Sequence, residues 1–239
     1  MKYAMDLHIH SALSPCANKD MTPNNIVNMA LIKGLDIIAL TDHNSGANLE
    51  AVSKCAIKCG LLFVPGIEVE TSEEVHLICL LPDLRSAAVL HHQINIALPD
   101  IQNREDIFGK QLIMDDKDQI ISEEKRMLIT AARLTVNEVF HLVKQLKGAV
   151  IPAHVNRASY SILSNLGMIP EDLGIKYLEI SHNCDEVDFR ESKPELESFR
   201  LIKSSDAHYL GDILDRDSML ELKELSVLAL LNALTCQTG

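Results

Sequence analysis

The pattern that most limits how this chain can fold is a series of short apolar runs, each too short for a helix and each set apart from the next by a helical stripe. Ile37-Ile38-Ala39-Leu40 is the plainest of them. It follows a stretch that opens at Thr22-Pro23, carries Ile26, Val27, Ala30 and Leu31 on one side and stops at Gly34, the expected form of a capped helix. A helix over 48–59 closed by Gly60, a strand over 61–64 and a strand over 75–81 continue the alternation. After 134 it resumes: a capping box at Thr135-Val136-Asn137-Glu138 opens a helix that closes at Gly148. Strands are expected at 149–152, 175–180 and 201–203, and helices at 159–166 and 226–234. Buried apolar strands alternating with helices predict an α/β chain on a parallel sheet, open or closed into a barrel. Residues 83–134 break the rhythm and read as an insertion or lid within a single domain over 1–239. That stretch holds His91-His92, a polar region over 100–110 and a small hairpin around Asp115 and Asp116.

Hydrophobic residues make up 47% of the 239, enough for a sizeable core. The formal net charge of −12 argues against unaided binding to long nucleic acid, which needs a basic surface to displace counterions. No signal pattern or membrane-length apolar run is present, so the expected location is cytoplasmic. The six cysteines, Cys16, Cys55, Cys59, Cys79, Cys184 and Cys236, are spaced as reduced and mostly core residues rather than as a disulfide framework.

Chemistry concentrates at the strand ends. In Asp6-Leu7-His8-Ile9-His10-Ser11, alternation turns Asp6, His8 and His10 to one face, and two imidazoles on one strand suit a divalent metal. His43 follows the second strand, Glu68 the third, His76 lies in the fourth, and His154 follows the fifth. Asp206 and His208 repeat the spacing of His8 and His10. At the rim of a barrel these side chains converge, which predicts a site for more than one metal. Asp6 is placed to orient His8, Asp42 to make a structural hydrogen bond, and His182 to meet substrate or protonate a leaving group. Arg157, three residues beyond His154, suits phosphate or, in a simpler reading, a surface ion pair.

Taken in order, Asp-Leu-His-Ile-His-Ser, Thr-Asp-His, Pro-Gly-Ile-Glu, the His76 strand, Ala-His-Val-Asn-Arg and Ser-Asp-Ala-His resemble the motifs of the PHP (polymerase and histidinol phosphatase) superfamily. The resemblance implies a distorted seven-stranded (β/α)7 TIM-like barrel with two or three divalent ions, Zn, Mn or Fe, acting on phosphate esters. It assigns His8, His10, Glu68 and Asp206 to one metal, Glu68 with His76 and His154 to a second, and His43 with His208 to a third. Cys16 stands where the family usually adds a His or Asp to that third site. The implied reaction is hydrolysis of a small phosphate monoester or nucleotide by a metal-bridged hydroxide, with no protein nucleophile. Three alternatives stand beside it: a non-catalytic metal-binding module working with a partner protein, an exonuclease on short oligonucleotides, and a C–N hydrolase on a similar barrel.

Overall fold

The computed structural model describes residues 1–235. Cys236 lies outside them. The first half runs β1 (Lys2–Ile9), α1 (Pro23–Ile32), β2 (Ile37–Leu40), α2 (Leu49–Cys59), β3 (Leu62–Glu70), β4 (His76–Leu80), α3 (Leu84–Ala97), α4 (Glu105–Phe108), β5 (Gln111–Met114) and β6 (Ile120–Glu124). The second runs α5 (Val136–Gln145), β7 (Ala149–Pro152), α6 (Ile162–Leu166), β8 (Tyr177–Ser181), α7 (Glu186–Ser192), β9 (Arg200–Ser204), β10 (Met219–Glu221) and α8 (Val227–Thr235). The local signals act as expected at α1, where the Thr22 hydroxyl accepts the Asn25 N–H, and at α5, where Thr135 and Glu138 complete a reciprocal capping box.

The α/β architecture is present, with a curled six-stranded half-barrel in the order β10-β1-β2-β3-β4-β7. β8 and β9 form a separate parallel pair. A few backbone bonds tie this pair to the half-barrel: Val155 N–H to Glu179 O at 2.8 Å beside β7, and His10 N–H to Ala207 O at 3.0 Å with Ala207 N–H to His8 O at 3.3 Å beside β1. The continuous seven-strand ladder of an ideal barrel is therefore replaced by two sheets meeting at their ends.

The sheet is also not wholly parallel. β4 runs antiparallel to both β3 and β7. The connection from Glu70 to His76 is too short for the crossover that a parallel neighbour requires, so β3 and β4 form a hairpin. This reversal matters for the site. It brings the first residue of β4, His76, to the rim reached by the last residues of the other strands.

Two core layers follow from strand alternation. Met5, Leu7, Ile37, Ala39, Val64, Ile78, Leu80 and Ile151 form an inner cluster, against which α8 lays Leu230, Leu231 and Leu234. Ile38, Leu40, Ile67, Leu77 and Cys79 face outward into the layer covered by α1, α2, α3 and α5. α3 belongs to that layer through Ala87, Leu90 and Ile94, so the first part of the 83–134 stretch is built into the core. Its remainder carries the β5–β6 hairpin, whose Leu112 and Met114 pack on Ala12. Of the five described cysteines only Cys55 and Cys79 are buried, and none is paired.

Gly148 is not the left-handed cap of α5. Lys147 takes that conformation, at φ 59°. A Cβ at position 148 would lie 2.5 Å from the Leu80 carbonyl oxygen, so the glycine is required where β7 enters the sheet.

Candidate metal centre

A bulge in β1 builds the centre. Asp6 pairs with Ile38 and Ile9 with Leu40, so β1 spends one more residue than β2 over this interval. Before the bulge Met5 and Leu7 face inward; after it Ile9 joins the outer layer and His8 and His10 take the inner face. Their Nε2 atoms come within 3.1 Å of each other. The Asp206 Oδ1 atom lies 3.2 Å from His8 Nε2 and 3.1 Å from His10 Nε2. Glu68 places Oε1 3.3 Å from His8 Nε2 and Oε2 3.4 Å from His10 Nε2. Donor atoms around a tetrahedral ion at about 2.0–2.1 Å are about 3.3–3.4 Å apart, close to these separations.

Further donors surround Glu68. His76 Nδ1 and His43 Nδ1 approach its two oxygens at 2.8 Å, and His154 Nε2 lies 3.5 Å from Oε1 and 3.3 Å from His76 Nδ1. The ring of His208 stacks on His10 with centroids 4.2 Å apart. His10, His43 and His208 form one group of converging donors, His8, His10 and Glu68 a second, and His43, Glu68 and His76 a third. Of the buried atoms here, His76 Nε2 and His154 Nδ1 have no hydrogen-bond partner, and His43 Nδ1 and Glu68 Oε2, though 2.8 Å apart, are not aligned for a hydrogen bond. Buried polar groups are rarely left so, and the donor set, imidazole and carboxylate, fits divalent metal ions.

Partners behind the rings fix which nitrogen faces inward. The Nδ1 of His8 lies 3.1 and 3.0 Å from the Glu179 oxygens, and that of His10 lies 2.9 Å from Ser14 Oγ. Ser14 in turn donates to Asp42 Oδ1 at 2.7 Å. When neutral, rings that donate Nδ1–H to these acceptors present a bare Nε2 to the cluster. Burial alone would lower the pKa of His8, but Glu179, Glu68 and Asp206 hold it well above the ordinary imidazole value. Burial and the neighbouring His208 and His43 push His10 well below it. Glu68, which burial would raise, is held well below the carboxylate range by His76, His8 and His43. Backbone strain marks the same rim: Asn44, His154 and Asp206 have φ of 49°, 32° and 52°.

The model of the PHP domain matches residues 6–181, from the first motif to the end of β8. The chain belongs to the PHP family. Over 79 residues this PHP protein is 33% identical to a 3',5'-nucleoside bisphosphate phosphatase of Chromobacterium violaceum, a match covering 32% of this chain and 27% of that one. Over 78 residues it is 30% identical to a 5'-3' exoribonuclease of Haemophilus influenzae, covering 31% and 27%. The fold of the lesion-specific endonuclease PfuEndoQ from Pyrococcus furiosus superposes on 98% of this chain with a TM-score of 0.73 at 22% identity. The chain spans 56% of that endonuclease.

Of the residues singled out in the sequence of this PHP protein, His8, His10, His43, Glu68, His76, His154, Asp206 and His208 meet in one cluster. Cys16 adjoins it. Partial desolvation by the surrounding residues pushes its thiol up, but hydrogen bonds with His208 and His43 outweigh this and bring it down to about 6. Arg157 reaches the cluster through Asp206, with Nη1 2.7 Å from Oδ2, so its ion-pair partner is a largely buried residue of the site. His182 is exposed on the turn after β8, and among the described residues no hydrogen bond or ion pair joins it to the cluster.

Asp6 makes no bond to the His8 ring. The bulge separates the two side chains, and Asp6 accepts the His8 backbone N–H at 3.4 Å and the Ser205 and Leu214 N–H groups, both at 3.1 Å. Asp42 makes the structural bonds expected of it, accepting from Ser11 and Ser14. Sequence reasoning missed Glu179, Ser14 and Glu70, whose Oε2 lies 3.8 Å from His76 Nε2. One signal was available for Glu179: an acid inside the apolar strand Tyr-Leu-Glu-Ile-Ser is rarely buried without a cationic or hydrogen-bonding partner. Among the described residues no helix is long and apolar enough to cross a membrane.

Proposed function

We propose that this PHP protein is a metal-dependent phosphoesterase that hydrolyses a small phosphate monoester or a nucleotide. The observation that carries the reading is the convergence of His8, His10, Glu68 and Asp206 donor atoms at 3.1–3.4 Å, beside the buried His76 Nε2 and His154 Nδ1, which make no hydrogen bond. In this reading His8, His10, Glu68 and Asp206 hold one divalent ion, Glu68, His76 and His154 a second, and His43, His208 and Cys16 a third. Ions held there supply the Lewis acidity that makes water a competent nucleophile at neutral pH and neutralises phosphoryl oxygens.

The chain's own groups do the rest. Glu179 and Ser14 hold the His8 and His10 rings in orientation. Arg157, exposed and paired with Asp206, is free to turn its second edge to a phosphate, for which a planar guanidinium is well shaped. His182 has no part in this scheme. The net charge of −12 favours a small substrate over unaided binding to long nucleic acid, and the likeness to a nucleoside bisphosphate phosphatase supports a nucleotide. Removal of terminal nucleotides from short RNA is the second reading, favoured by the identity to the exoribonuclease.

Elemental analysis of the purified protein, paired with phosphate release from nucleotides, sugar phosphates, histidinol phosphate, short oligoribonucleotides and a lesion-bearing duplex with Mn, Zn or Fe supplied, tests the reading. Two or three ions per chain and release from a small ester are expected. His154→Ala should abolish turnover while leaving a folded protein; undiminished turnover would remove the second metal. Cleavage of the duplex alone would replace the small-molecule substrate with DNA.

A further inference from the structure

Among the described residues only two aromatic side chains apart from histidine are exposed, Tyr160 and Tyr209, at 46% and 55%. Both neighbour residues of the candidate centre in sequence. Tyr209 follows His208 directly, and Tyr160 sits on the loop that carries His154 and Arg157. Apolar collapse cannot account for exposed rings at a polar rim, since the remaining Tyr and Phe side chains are wholly or partly covered.

Tyr160 is held in place. Its φ of 56° is a costly conformation for a bulky side chain. Its carbonyl accepts the His76 N–H at 3.0 Å, and its ring lies against the His76 imidazole, 5.0 Å between centroids with the planes tilted by 33°. The ring contacts His76 and the residue is still 46% exposed, so part of its surface remains open to solvent. A rigid aromatic face therefore stands beside the centre, on the same loop as a cation suited to phosphate.

We infer that Tyr160 is a stacking platform for a nucleobase, and that it makes the site selective for nucleotides over phosphate esters without a planar ring. The inference rests on the phosphoesterase reading and narrows its substrate class. Arg157 and the metal cluster engage the phosphate, the sugar spans the intervening rim, and the base lies on the exposed part of Tyr160. Stacking of this kind tolerates any base, because every base offers a π-face. Tyr209 has an ordinary extended backbone and, among the described residues, no ring partner, so the selective face is assigned to Tyr160.

Adenosine 5'-monophosphate and ribose 5-phosphate differ by the base alone, so the ratio of their kcat/KM values isolates it. In the manganese-loaded wild-type protein the ratio should favour the nucleotide by about tenfold or more. Tyr160→Ala should bring the ratio close to one, mainly through KM for the nucleotide, while Tyr160→Phe and Tyr209→Ala should keep it. Equal losses on both substrates in Tyr160→Ala would make Tyr160 only a prop for His76 and overturn the inference. So would a collapse of the ratio in Tyr209→Ala but not in Tyr160→Ala. If the wild type hydrolyses neither compound, the phosphoesterase reading fails on these substrates and calorimetric binding decides the platform separately. Tighter binding of the nucleotide, lost in Tyr160→Ala, would sustain it, and equal affinities would end it.

Discussion

At the residue scale, the orientation of His8 depends on a carboxylate 171 positions away, Glu179. The same side chain accepts the N–H of His154 at 3.1 Å, where the backbone is held at φ 32°. One carboxylate therefore braces two residues of the cluster. Glu179→Ala leaves the His8 Nδ1–H and the His154 N–H without an acceptor, and partners of this kind typically account for 10- to 100-fold in metal affinity. Metal retained after dialysis should fall by about that range in Glu179→Ala and much less in Glu179→Gln, whose amide oxygen still accepts. Equal retention in all three proteins would make Glu179 a bystander. The residues that meet in the cluster were open to sequence reading because most lie at or near the end of a short apolar strand and the His8, His10 spacing recurs at Asp206, His208. Glu179 was not, since nothing local in β8 names its partner. Asp6 misled for a related reason: perfect alternation puts it with His8, and the extra residue that breaks alternation is visible only in the pairing with β2.

At the scale of elements, helices and strands were legible wherever a cap or a glycine bounded an apolar stripe, and strand direction was not. β4 reads like every other strand, and only the five residues between Glu70 and His76 betray that it must turn back. α3 was hidden for a different reason. Its buried positions, Ala87, Leu90 and Ile94, do follow helical spacing, but the polar residues between them and the irregular stretch after Ala97 made the whole segment resemble an excursion. If α3 is part of the scaffold, Leu90→Ala should destabilise the protein by about 2–5 kcal/mol, as for other large-to-small changes in a core. Val89→Ala, on the 46% exposed neighbour, should stay within about 0.5 kcal/mol. Urea midpoints compare the two. A negligible effect of Leu90→Ala would return α3 to a detachable insertion.

At the scale of the whole molecule, the cluster sets how folding stability responds to pH and to metal. Burial would lower the pKa values of His8, His43, His76 and His208, but facing groups raise all four: Glu179 and Glu68 at His8, Glu68 at His43 and His76, the Cys16 thiol and Asp206 at His208. A raised folded value contributes stability below the unfolded imidazole value, about 6.5, and that stability is lost as pH rises through the folded value. Cys16, brought down to about 6, works in the opposite sense, but one thiol opposes four imidazoles. Between pH 6.5 and 8 the metal-free native state therefore binds more protons than the unfolded chain, and its stability should fall. His10, held low, and Glu68 and Asp206, held low as well, titrate beneath that window and leave the sign unchanged. Metal reverses the dependence, because ligating imidazoles must be neutral and binding releases their protons. The stabilisation conferred by manganese should grow as pH rises, since only the native state presents the assembled cluster. Urea midpoints at pH 6.5 and 8, with EDTA and with manganese, should show the EDTA series falling and the gap between the series widening. An EDTA series that is level or rising would mean that these histidines are already neutral without metal, and that the carboxylates of Glu68 and Asp206 are balanced by something other than imidazolium.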